Sequence, residues 1–158
     1  MQRPELKTLQ NIESAFAGEA MAHIKYRYFA RVARAAGDEE TARVFEATAE
    51  QEVAHAFGHL DLLYPPASLT PARCLELAIA GETYEYTEMY PGFRKTAEAE
   101  GNAAAVAEID EQIAESRTHA ASFQRTLAVA AKRFAALAKV EERHAGHYRA
   151  ELARVRGV

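Results

Sequence analysis

Apolar residues return every three to four positions along most of this chain, the rhythm of helices that each bury one face. One such face runs through Val106, Ile109, Ile113, Ala120, Phe123 and Leu127, and another through Phe134, Leu137, Tyr148 and Leu152. Glycine and proline punctuate this rhythm at a few places. Pro4 suits a first helical turn and Gly37 the position just past a helix end, so the first helix is expected over about 5–36. Asp38 then caps a second helix, about 38–64, which Pro65 and Pro66 stop. Thr70 and Pro71 read as an N-cap and first residue of a third helix, about 71–100, with Gly101 as its stop. Pro91 should kink it. From Asn102 to Ala145 there is neither glycine nor proline. A single helix of that length would measure about 66 Å, long for a small bundle. A break is therefore expected near 128–132, giving helices over about 102–128 and 132–155. The prediction is an all-α chain, one domain over 1–158.

Two patterns recur along these helices in the order they first occur. Ala-x-Ala-Gly-Glu ends at Glu19 and again at Glu82. A Phe followed seven positions later by Glu-x-x-His occurs as Phe45, Glu52, His55 and again as Phe134, Glu141, His144. A lone Glu-x-x-His on a helix is common, but from Phe45 and Phe134 six of sixteen aligned positions are identical. Glu on two helices and Glu-x-x-His on the other two is the donor set of a dinuclear carboxylate metal site in a four-helix bundle. Residues three apart share a helix face, so each Glu-x-x-His offers two donors together, and Glu85 adds a second carboxylate beside Glu82. Carboxylate and imidazole without thiolate suit iron or manganese, and zinc less diagnostically.

Composition narrows the function class. The chain has 158 residues, 49% of them hydrophobic, and a formal net charge of −4, which leaves no basic footprint for nucleic acid. Its one cysteine, Cys74, cannot form an intrachain disulfide or hold a four-thiolate metal site. The first residues are polar, and no run of 18 apolar residues marks a membrane span. A cytoplasmic protein is the expectation.

Phe16-Ala-Gly-Glu19, Tyr26-Arg-Tyr-Phe29, Ala47-Thr-Ala-Glu50, Glu52-x-x-His55-Ala56, Ala80-Gly-Glu-Thr-Tyr-Glu85, Met89-Tyr-Pro-Gly-Phe93, Phe134-Ala-Ala-Leu-Ala138 and Glu141-x-x-His144 together resemble the rubrerythrin family. The likeness is to its short, sulerythrin-like members without a rubredoxin module, within the ferritin-like di-iron superfamily. It covers nearly the whole chain. It implies a ferritin-like four-helix bundle with an additional C-terminal helix and a centre of two iron ions. Glu19, Glu52, Glu82 and Glu141 are then core carboxylate ligands. His55 and Glu85 are the pair one iron exchanges between on redox change, His144 serves the other iron, and Tyr26 is the aromatic beside the site. The implied activity is reduction of hydrogen peroxide to water in oxidative-stress defence. The electrons come from a separate rubredoxin-like or reductase donor protein. A ferritin-like ferroxidase that binds and oxidises iron is the alternative, and an inactive structural bundle a third.

The spacing departs from the family pattern. Glu19 and Glu52 are 33 positions apart, but Glu82 and Glu141 are 59 apart. A step of 33 or 34 from Glu82 reaches Glu115 or Ser116, with His119 close behind. Ser116 thus stands where the ligand Glu belongs. Two segments compete for the fourth wall: one has the right distance and the other, with Glu141 and His144, the right residues. A carboxylate bridge needs a carboxylate, so Glu141 and His144 are preferred, with Glu115 and His119 as the alternative. Helices two and three run parallel in a ferritin-like bundle, yet their link, 65–69, reaches only about 17 Å against about 38 Å for a 25-residue helix. A domain-swapped homodimer follows as the expected assembly.

Overall fold

The computed structural model describes residues 7–157. They are helical almost throughout, with no strand among the described residues. The helices are α1 (Thr8–Ala35), α2 (Glu39–Leu63), α3 (Pro71–Tyr84), α4 (Tyr90–Ala99) and α5 (Ala103–Arg156). A π-helical turn, Glu85–Met89, joins α3 to α4, and a short 3₁₀ turn, Pro66–Ser68, precedes α3. Pro4 and the expected start near Glu5 lie outside the described residues. No described helix is long and apolar enough to cross a membrane.

The chain divides into two compact units, one ending at Leu69 and one beginning at Thr70. Each is an antiparallel hairpin, and both are closed by the same device. In the first, Gly37 takes φ +84°, where a side chain would be strained. The amides of Gly37 and Asp38 donate to the Arg34 and Ala33 carbonyls at 3.0 Å each, closing the last turn of α1. The Asp38 carboxylate then accepts from the Thr41 amide at 3.0 Å and starts α2. In the second, Gly101 takes φ +70°. The amides of Gly101 and Asn102 donate to the Glu98 and Ala97 carbonyls at 3.1 and 2.9 Å. The Asn102 side chain accepts from the Ala105 amide at 3.1 Å and starts α5.

Each hairpin end also carries an arginine fork. Arg34 donates to Glu39 and Glu46 at 2.9–3.2 Å, and Arg94 donates to Asp110 and Glu98. These bonds hold the Glu39, Glu46 and Asp110 carboxyls below their ordinary pKa values.

The buried seams are made of small residues. Ala42, Ala49 and Ala56 recur every seven positions along α2, and Ala42 faces Ala30 of α1; all four are buried. In the second hairpin Ala97, Ser116 and Ala120 are buried. Small side chains at the contact let two helix axes approach closely. No large side chain is fully buried among the described residues, because two helices alone enclose little volume.

Two sequence expectations change. The break near 128–132 is absent: α5 is continuous over 54 residues. Ala128-Val-Ala-Ala-Lys132 holds no residue that ends a helix, and alanine is the strongest helix former. Pro91 does interrupt the regular helix, but through the π turn before it, which absorbs the missing amide and carries the chain onward into α4.

Candidate metal centre

On the first hairpin, residues face one another across the seam where their numbers sum to about 71. That register sets Glu19 of α1 against Glu52 of α2. Donor atoms of Glu19, Glu52 and His55 lie within 4.8 Å of one another, and among the described residues this is the group of three that converges in this way. Both carboxylates are half-buried and His55 is exposed. The His55 Nδ1 and Glu52 Oε2 are 2.9 Å apart. Two turns along the same register, the Tyr26 ring packs on Phe45 with centroids 5.9 Å apart. His23, four positions after Glu19, bonds through Nδ1 to the Ala49 carbonyl at 2.9 Å. That bond commits this nitrogen to the backbone, and the ring lines an apolar groove with Phe16, Ile24 and Val53.

On the second hairpin, the register brings α3 against the first half of α5. Ser116 Oγ donates to Glu85 Oε2 at 3.0 Å, and His119 Nδ1 lies 3.4 Å from Glu82 Oε1. The other oxygen of Glu82 is buried with no hydrogen-bond partner among the described residues. A buried carboxylate oxygen left unpaired is costly and calls for a proton or a cation. Here the chemistry of the neighbours favours a cation, since carboxylates and an imidazole stand around it. The residues present therefore fit a metal centre.

Tyr90, which stands within Met89-Tyr-Pro-Gly-Phe93 and reads by default as a core residue, belongs to this cluster. Burial and then the charges of Glu85 and Glu82 push its hydroxyl pKa up, with a smaller contribution from Glu108. In a regular α-helix, residues five apart diverge. The π turn that starts at Glu85 bonds the Tyr90 amide to the Glu85 carbonyl and brings the two residues together. Pro91, which disturbs the helix, was the sequence's sign of the turn that brings them together.

Glu141 and His144 do not join Glu82 within the second hairpin. They lie on α5, 25 positions past Ser116 and His119, or about 37 Å along a straight helix. Both are exposed. Within that hairpin the α3–α5 register sets Ser116 and His119 beside Glu85 and Glu82. Glu115, also on α5, is exposed. Cys74 is an exposed free thiol near the start of α3.

A family model described as Rubrerythrin matches residues 10–127. The chain is 38% identical over 160 residues to a rubrerythrin of Porphyromonas gingivalis, covering 94% of this chain and 68% of that protein. It is 40% identical over 111 residues to nigerythrin of Nitratidesulfovibrio vulgaris, covering 63% of this chain and 55% of nigerythrin. A solved structure of fully reduced, all-ferrous nigerythrin is 34% identical over 76% of this chain and 65% of that one. Its TM-score is 0.39, too low for the superposition to bear on how the helices are arranged. The family model and the length of the match to the Porphyromonas gingivalis protein lead to one conclusion: this chain belongs to the rubrerythrin family of di-iron proteins.

Proposed function

We propose that this chain is a rubrerythrin-type peroxidase, reducing hydrogen peroxide to two waters with two protons and two electrons from a separate donor protein. The observation that carries this reading is the donor set. Glu19, Glu52 and His55 converge on one hairpin, while Glu82, whose second oxygen is buried and unpaired, stands with Glu85 and His119 on the other. Each set offers the carboxylate and imidazole donors that iron takes, though manganese or zinc also suits them. When bound, a di-iron centre supplies both electrons to the peroxide O–O bond.

The chain's own residues have separable tasks. Glu82 neutralises and holds a cation with an oxygen that nothing else occupies. Glu85 is tethered by the Ser116 hydroxyl, a bond weak enough to be exchanged, and it stands on a π turn. It would therefore be suited to move onto or off a metal bound beside it. Ser116 cannot bridge two cations, so this centre has one carboxylate fewer than the sequence pattern suggested. Tyr26, packed on Phe45, shields the Glu19–Glu52 side from water, and Tyr90 keeps its phenolic proton beside Glu85.

The electron donor is proposed to be separate because Cys74 alone cannot hold a rubredoxin-type iron. The short 65–69 link supports a domain-swapped homodimer as the assembly.

Stopped-flow mixing of the di-ferrous protein with peroxide or with oxygen tests the reading. Peroxide should oxidise it at least an order of magnitude faster. A faster reaction with oxygen, followed by ferric release, would instead make it a ferroxidase. Glu85→Ala should slow peroxide turnover, and an unchanged rate would remove the role given to that carboxylate.

A further inference from the structure

Charge is divided unevenly along this chain. Residues 125–156 carry eight Lys and Arg against three Asp and Glu, while the rest of the chain carries 11 against 20. The outer half of α5 is thus a basic segment in an otherwise acidic protein.

The cations are also sorted around the helix. At about 100° per residue, Arg125, Lys132, Lys139, Arg143 and Arg154 fall within a stripe about 60° wide, and all five are exposed. Glu141, Glu142 and Glu151 lie off this stripe, each by about 60° or more. A face that only keeps a helix in water mixes both signs; this one carries a single sign. Arg34 and Arg94, at the hairpin turns, are each forked between carboxylates. Among the described residues, Arg125, Lys132, Lys139 and Arg143 have no such partner, and Arg154 bonds Glu151 at the margin.

The stripe runs behind the donor side chains. Ser116 with His119, and Glu141 with His144, project from the opposite side of α5, as do Phe134, Leu137, Tyr148 and Leu152. Whichever pair faces a metal, and whatever covers the apolar side, the stripe is left facing water. It is then separated from the donors by one helix diameter, about 10–12 Å. From Arg125 to Arg143 it spans about 27 Å, which matches the breadth of a standard interface of about 800 Å² per partner.

We propose that this stripe is where the electron donor docks, and that the donor is a small protein with an acidic face. The donor's task rests on the peroxidase reading above; the chemistry of the docking surface does not. The acidic remainder of the chain repels such a partner, so the stripe both attracts it and fixes where it lands. Each docked donor passes one electron and leaves oxidised, so two docking events return two ferric ions to ferrous for every peroxide reduced. A nucleic acid or an anionic membrane, extending past the stripe, would bring its charge against the acidic inner half of α5 at Glu108, Asp110, Glu111 and Glu115.

The probe is a recombinant acidic rubredoxin. Its oxidised form is titrated into the full iron-loaded chain to measure binding, and its reduced form is mixed with the di-ferric protein to measure electron transfer. Affinity and second-order rate should both fall at least about tenfold between about 20 and about 200 mM salt. At the lower salt, Lys132→Glu with Lys139→Glu and Arg143→Glu should lower both at least about tenfold and flatten the salt dependence. Lys25→Glu with Arg43→Glu and Lys95→Glu, exposed cations elsewhere, change the net charge equally and should cost less than about threefold. Reduction by a small uncharged reductant should be the same in all three proteins. Equal losses in the two variants would overturn the proposal, since net charge alone would then explain them. An unchanged stripe variant would overturn it too, as would a stripe variant equally slowed with the uncharged reductant. So would tighter binding of duplex DNA or phosphatidylserine vesicles than of rubredoxin at the same salt. A chain that binds rubredoxin through the stripe but is not oxidised by peroxide would keep the docking surface and remove the peroxidase reading.

Discussion

Alanine at position 49 shows how much of this fold rests on side chains that are barely there. Ala49 is fully buried between α1 and α2, and its carbonyl receives the His23 ring. A larger residue must push the helices apart just where Glu19 and Glu52 face one another. Ala49→Leu should therefore destabilise the protein by about 1–3 kcal/mol, seen as a lower midpoint in urea, and should weaken iron binding more than an equally destabilising change elsewhere. The same scale shows what the sequence displayed well. Glu19, Glu52 and His55 were legible because duplication singled them out and a two-turn register preserves it. His119 was only an alternative to His144, because residue identity pointed to one segment and spacing to the other. Within that unit the hairpin register sets His119 near Glu82. Tyr90 reads by default as a core residue; its place beside Glu85 was not legible because it depends on a π turn, and no local pattern of apolar residues encodes one.

At the level of elements, the hairpin turns were legible down to single residues: Gly37 with Asp38, and Gly101 with Asn102, carry both the stop and the cap. The length of α5 was not. The expected break came from a judgement about size, while the local alanine-rich sequence favours continuing the helix. The arginine forks were also missed, since their partners lie on different helices. They govern the response to acid. Arg34 holds Glu39 and Glu46 below their ordinary value of 4.5. A lowered pKa adds stability that is complete above the unfolded value and is lost as pH falls through the folded one. Thermal melts should therefore shift downward below about pH 4.5. Arg34→Leu should melt lower at neutral pH and lose less on acidification. An equal acid shift in both proteins would show that the fork does not matter. All these groups are exposed, so added salt should shrink the difference.

For the whole molecule, both hairpins place their chemistry near mid-height and close their ends with glycine, a side-chain cap and an arginine fork. The turns that close them are short, so each side chain in these clusters meets a partner near it along the chain. Low contact order of this kind makes each hairpin quick to form. Recovery of function then becomes a matter of timing. After dilution from denaturant, helical circular dichroism should return in a fast phase that does not depend on protein concentration. Iron uptake should lag, in a phase that quickens with concentration when two copies must meet. Iron uptake as fast as helix recovery at every concentration would show that a single chain completes the centre by itself. The repeated turn thus determines which event in the life of a newly made chain the supply of iron must wait for.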